Sequence, residues 1–153
     1  MAPPIVHFLV GAAVVLVVAS PLAMTRELHP SVPLWLVLIG GIWGLFPDVH
    51  NISPIYVEEL RRFHHSPWAD LFGFHYTLDR SYVRQRFYPS ILGAIGVFLG
   101  AITLFTVASS ARPIGVPREV TATIAVFAGL VLLLVIGSPF IGGMAELIAV
   151  IAN

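Results

Sequence analysis

Cysteine is absent from the 153 residues, and so is lysine. Without cysteine there is no disulfide and no thiolate ligand. Any metal held by side chains must then use His, Asp or Glu, a donor set suited to zinc or manganese rather than to copper(I) or iron–sulfur clusters. Charge is scarce as well. Eight Arg balance eight acids, and charged residues make up 10% of the chain, against about 25% in a soluble domain. No basic stripe is present, so nothing points to nucleic acid as a partner. What the chain has in quantity is apolar: 58% of its residues are hydrophobic. Such a sequence belongs to an integral membrane protein, and its first partner is the lipid bilayer.

The apolar runs predict an all-α polytopic fold of about four transmembrane helices in a single membrane domain over 1–153. The spans are expected at 5–24, 30–46, 88–109 and 120–152. About 20 residues cross a hydrocarbon core, so the second span is expected to begin near Pro30. The fourth run is too long for one upright helix. Gly137-Ser138-Pro139 is expected to break it, because proline removes a backbone donor and clashes with the preceding turn. The first run has no Arg before Arg26 and has Pro21 beside its small-residue stretch, so it reads as a retained helix rather than a signal peptide. Small residues in Gly93-Ala94-Ile95-Gly96 and Gly100-Ala101 would let helices approach closely. Between spans two and three, 47–87 is a polar, short-helical segment with five of the eight Arg: 61, 62, 80, 84 and 86. Four spans place it on the same side as the N-terminus. The positive-inside rule then predicts a cytoplasmic face, in the inner or plasma membrane. The sequence sets no oligomeric state.

Four of the six His and five of the eight acids fall within 47–87. Apolar helices do not need this crowding to fold, whereas metal sites do. His75 and Asp79, four apart, would share one helical face and could ligate one ion. Asp48 follows Pro47 at the end of an apolar span, where an acid without a partner is costly. His64 and His65 point in different directions on any regular backbone, so one of them is expected to be a ligand. The topology carries His7 to the same side. His50 and Asp70 complete the candidates, Asp70 as a proton acceptor or support. Arg80 and Arg84 could contact a phosphate, although snorkelling interface arginines would look the same. Two or three His with one or two carboxylates and an open position for water is catalytic zinc chemistry. Glu146, inside the last apolar run, has no role in this scheme.

Taken in order, these residues resemble a family. His7 in Ile5-Val6-His7-Phe8-Leu9-Val10-Gly11 is similar to a His near the start of a first helix. Gly44-Leu45-Phe46-Pro47-Asp48-Val49-His50 resembles a Gly-x-x-Pro-Asp-x-Asp signature, and His64-His65-Ser66 resembles Thr-His-Ser. His75-Tyr76-Thr77-Leu78-Asp79, followed by Phe87-Tyr88-Pro89, resembles a His-x-x-x-Asp helix with an aromatic-Pro exit. Together, over roughly 5–90, they look like the membrane-bound metal-dependent hydrolases of the LexA-regulated inner-membrane type. That family is grouped with zinc-dependent phospholipase C and the P1-type nucleases. The resemblance implies metal ligation by His7, Asp48, His65, His75 and Asp79, with His50 and His64 as alternatives and with Asp48 and Asp79 able to bridge two ions. The chain departs from the pattern at three points: His50 replaces the second acid, Leu60 precedes Arg61 where a His is usual, and His64 replaces the Thr. The helix between the last two motifs is nearly absent.

Three functions are therefore expected in order. The first is a membrane-embedded hydrolase of a phosphoester or lipid, using a divalent metal, zinc or else manganese. The second is a non-catalytic scaffold or subunit with a structural or vestigial His/Asp metal cluster. The third is a small transporter-like subunit built around Glu146 and a broken fourth span.

Overall fold

The computed structural model describes residues 2–110 and 117–151, without the side chains at 118, 139, 140, 145–147 and 149. Arg112 and the side chain of Glu146 lie outside the described residues. Four helices are long and apolar enough to cross a membrane. Helix α1 covers Pro4–Thr25 and α2 covers Val32–Leu45. After a polar cap, α6 covers Phe87–Ser110 and α7 covers Arg118–Ile151. The cap consists of three short helices, α3 (Val57–His64), α4 (His75–Leu78) and α5 (Ser81–Arg84), with a 3-10 turn at Pro67–Leu71 between the first two.

The central helix is α1, which packs against α2, α6 and α7. Its inner face of Ala13, Leu16, Val17 and Ala23 meets Ala101, Phe105 and Ala108 of α6 and Ala128 of α7. Outward-facing residues stay apolar, among them Ile39, Ile42, Leu92, Leu99 and Leu133. A chain hydrophobic all round fits a bundle whose outer solvent is lipid.

Two expectations about the spans are corrected. The second span gains its length at its far end rather than near Pro30. Its α-helix is only 14 residues, and a 3-10 segment, Phe46–Asn51, carries it on to a 20-residue span. Asp48 sits on that extension. The interruption expected at 137–139 does not occur, because α7 remains helical through it. Proline at 139 would leave the Val135 carbonyl without its donor one turn on. Ser138 Oγ–H donates to that carbonyl at 3.0 Å and replaces the lost bond. At about 1.5 Å per residue, 34 residues exceed the hydrocarbon thickness. The C-terminal turns of α7 accordingly reach the cap, where Gly142 lies against Pro67.

Of the small residues expected to let helices approach, the alanines do so: Ala94 and Ala101 of α6 are buried, and Ala101 packs in the core with Ala13 and Leu16 of α1. At Gly93, Gly96 and Gly100 a Cβ would meet no described atom within 4 Å. The tight crossing is between α1 and α2. A Cβ on Gly11 would strike the Gly40 carbonyl, and one on Gly44 would strike the His7 carbonyl. Gly40, Gly44 and Asp48 follow at four-residue steps along α2, facing Gly11 and His7 on α1. The crossing that needs glycine is thus the one that sets His7 near Asp48.

Candidate metal centre

Asp48 is delivered by the 3-10 extension of α2, His64 by the last residue of α3 and His75 by the first of α4. An aromatic cluster fastens these pieces together. Phe72 stacks on Phe46 at 5.0 Å between centroids and meets Phe63 edge-on at 5.8 Å. Phe46 flanks Asp48 and Phe63 flanks His64, so the cluster fixes the distance between the two ligand-bearing elements.

Three atoms converge. Asp48 Oδ1 lies 3.4 Å from His75 Nε2 and 3.5 Å from His64 Nδ1. All three are buried, and among the described residues none has a hydrogen-bond partner. The opposite ring nitrogens explain why. His75 Nδ1–H donates to the Gly44 carbonyl at 3.0 Å. That carbonyl is available because Pro47, one 3-10 turn on, has no N–H to offer it. His64 Nε2–H donates to Asp79 Oδ2 at 3.1 Å. With both outer nitrogens donating, the inner ones present lone pairs towards a carboxylate oxygen. Three buried acceptors facing one another repel unless a cation lies among them. His/Asp groups of this chain can therefore hold a metal ion.

Asp79 anchors the other side. Its Oδ1 accepts the Ala2 amide at 2.5 Å and lies 3.3 Å from His7 Nε2. Burial pushes its carboxyl up. The hydrogen bonds from His64, His7 and Ala2 outweigh that push and hold it well below the usual carboxylate range. His75 Nε2 is 3.9 Å from Asp79 Oδ2, so the pair does share a face. His7, His75 and Asp79 form a second metal-competent group. Both groups use the one free nitrogen of His75, so one ion can claim it. His7 is buried, stacks on His75 at 3.8 Å and keeps an unpartnered Nδ1.

The remaining candidates stand apart from this convergence. His65 is exposed and meets the His64 ring edge-on, at 4.7 Å. As the residue capping α3 it turns outward, and its neighbour His64 turns in. This corrects the assignment of His65 as ligand and His64 as alternative. Asp70 is buried, but its two oxygens accept the Thr77 amide and the Thr77 hydroxyl, each at 2.7 Å. It satisfies the first turn of α4 and so holds His75 in place, and its oxygens are not among the converging groups. His50 donates Nδ1–H to the Pro47 carbonyl at 3.1 Å, and its ring lies 4.6 Å from that of His64. Arg80 is exposed with its guanidinium over the Tyr76 ring at 5.3 Å, and Arg84 is exposed on α5. Neither is a ligand-type group of the convergence, and the phosphate contact expected of them stays an expectation. The sequence reading missed two backbone contributors, the Gly44 carbonyl and the Ala2 amide. The four-residue spacing of Gly40, Gly44 and Asp48 was the available signal for the first. No protein-family model, curated protein or solved structure matches the chain.

Proposed function

We propose that the protein is a membrane-embedded zinc-dependent hydrolase of a phosphoester or lipid ester bond, with its cap on the cytoplasmic side. The observation that carries this reading is the trio of unpartnered acceptors, Asp48 Oδ1, His64 Nδ1 and His75 Nε2. Two His and one carboxylate leave a fourth position open, as catalytic zinc sites do and structural ones do not. Asp48 is also partly exposed, its side chain at 16%, so that position can be reached from outside. A bound zinc would polarise the ester oxygen and lower the pKa of water.

The chain's own groups have distinct parts. Asp79 holds the tautomer of His64, and the Gly44 carbonyl holds that of His75, the outer hydrogen bonds that orient ligating imidazoles. Asp79 also holds His7 through Nε2, leaving Nδ1, on a ring that stacks on His75, as the base that takes a proton from water. The water oxygen bonds to phosphorus or acyl carbon, the bond to the leaving oxygen breaks, and the proton taken by His7 passes to that oxygen. The motif order described above resembles a hydrolase family, which agrees with this reading.

The test is metal content and turnover of purified protein. Zinc-reconstituted protein should carry one zinc per chain and hydrolyse bis(p-nitrophenyl) phosphate. His64→Ala with His75→Ala should lose both. Stoichiometric zinc in that double variant would sink the site. Stoichiometric zinc in the wild type without turnover would favour a non-catalytic metal clip. Two His and one carboxylate also suit ferrous iron, and metal analysis of protein purified without added metal separates the two.

A further inference from the structure

A cavity of about 440 Å³ opens beside Asp48. It lies between the start of α1 and the end of the second span, with Pro4, Ile42, Phe46 and Ile52 in its lining and Asp48 and Asn51 as the polar residues there. Its size falls in the range of small-molecule sites, about 300–1,000 Å³. Its lining is unusual for a water-filled entrance. Ile42, Phe46 and Ile52 are exposed large apolar residues at 64%, 50% and 84%, and Asp48 is the one charged group among the lining residues.

The cavity has a direction. Ile42 precedes Asp48 by six residues on the second span, about 10 Å along it at the rises of the α-helix and of the 3-10 segment. Asp48 lies near the end of the apolar span, where a bilayer's headgroups would sit, and Ile42 lies within it, where acyl chains would be. One side of the cavity therefore faces lipid along its length, and its polar end is the carboxylate whose inner oxygen faces His64 and His75. A water-soluble substrate would have no use for the deep apolar half. A bilayer lipid matches both halves at once.

We infer that this cavity seats an acyl chain of a bilayer lipid, entering sideways between α1 and α2, with the headgroup linkage at Asp48. The assignment names the substrate class of the metal site and rests on the hydrolase reading for its chemistry, but not for its binding. Lipid binding is therefore measured by itself. Protein in nanodiscs of phosphatidylethanolamine and phosphatidylglycerol is exchanged into detergent, and retained lipid per chain is counted by native mass spectrometry. Three proteins are compared: wild type, Ile42→Trp inside the cavity, and Ile39→Trp on the exposed face of the same helix outside it. Wild type and Ile39→Trp should retain lipid. Ile42→Trp should retain roughly tenfold less, the change expected when a few methylenes lose their contacts. Equal retention by both Trp variants, or none by the wild type, overturns the inference. Turnover of bis(p-nitrophenyl) phosphate by zinc-loaded Ile42→Trp is measured in parallel. Lipid retention lost only in Ile42→Trp, with no phosphodiester turnover by any of the three, leaves the lipid site standing and the hydrolase reading fallen. Normal phosphodiester turnover with lipid retention unchanged in Ile42→Trp does the reverse.

Discussion

At the scale of single residues, two adjacent histidines have opposite surroundings. His64 is buried with both nitrogens facing carboxylates, and His65 is exposed one position later. His64→Ala should weaken zinc binding at least about 100-fold, whereas His65→Ala should leave it within about twofold, since outer-shell losses alone run to about 10–100-fold. Zinc competition with a chromophoric chelator reads both, and equal losses would refute the assignment. Asp79 invites a test by pH. Its carboxyl is held below the usual range in the folded chain, so it stabilises the metal-free protein above the unfolded value, about 3.9. That contribution is lost as pH falls below about 4 towards the folded value. Melting of metal-free protein between pH 6 and pH 3 should therefore steepen below about pH 4, and Asp79→Asn should flatten the slope. These distinctions could not be read from composition. Which of two neighbouring histidines turns inward depends on where α3 ends, and Asp70 and Asp79 look alike until their partners are known.

At the scale of elements, the helices were legible and their contacts only partly so. Length and hydropathy locate four spans because the bilayer demands about 20 apolar residues whatever the neighbours are. The packing glycines follow from which helix faces which, and periodicity in uniformly apolar runs does not reveal that. Gly93, Gly96 and Gly100 have the composition of a packing seam and meet open space, whereas Gly11, Gly40 and Gly44 form the seam. The proline at 139 shows the same limit, since its effect depends on whether Ser138 reaches Val135. A matched pair of substitutions separates composition from contact. Gly44→Ala puts a methyl against the His7 carbonyl and displaces the carbonyl that orients His75. It should lower the melting temperature and zinc affinity together. Gly96→Ala places the same methyl in open space and should be neutral or stabilising by up to about 1 kcal/mol. Melting curves with zinc titrations on both variants check this, and unchanged zinc affinity in Gly44→Ala would separate the helix crossing from the site.

At the scale of the whole molecule, the three proposed ligands come from three elements: the end of a span, α3 and α4. An ion among them would tie the polar cap to the bundle, so binding should be felt far from the site. A ligand that binds only the folded form stabilises it by about 2.7 kcal/mol at 100 times its dissociation constant. Here that stabilisation should fall on the cap, because the bundle has its own core on α1, α6 and α7. Trypsin reports it directly. Arg61 and Arg62 lie exposed on α3, three and two residues from His64, and their pairs with Glu58 and Glu59 are surface pairs of little weight. Cleavage there requires α3 to unwind, which zinc on His64 should oppose. In metal-free protein trypsin should cut at Arg61–Arg62, and zinc should slow that cut roughly 100-fold if local opening carries the full linkage energy. His75→Ala, which leaves the cleavage site untouched, should remove the protection. Sealed vesicles of opposite orientation extend the same experiment to topology. If the five arginines of the cap place it in the cytoplasm, added trypsin should cut the metal-free chain at Arg61–Arg62 in inside-out vesicles and spare it in right-side-out ones. The reverse pattern would put the cap, and with it the metal centre, on the outer face.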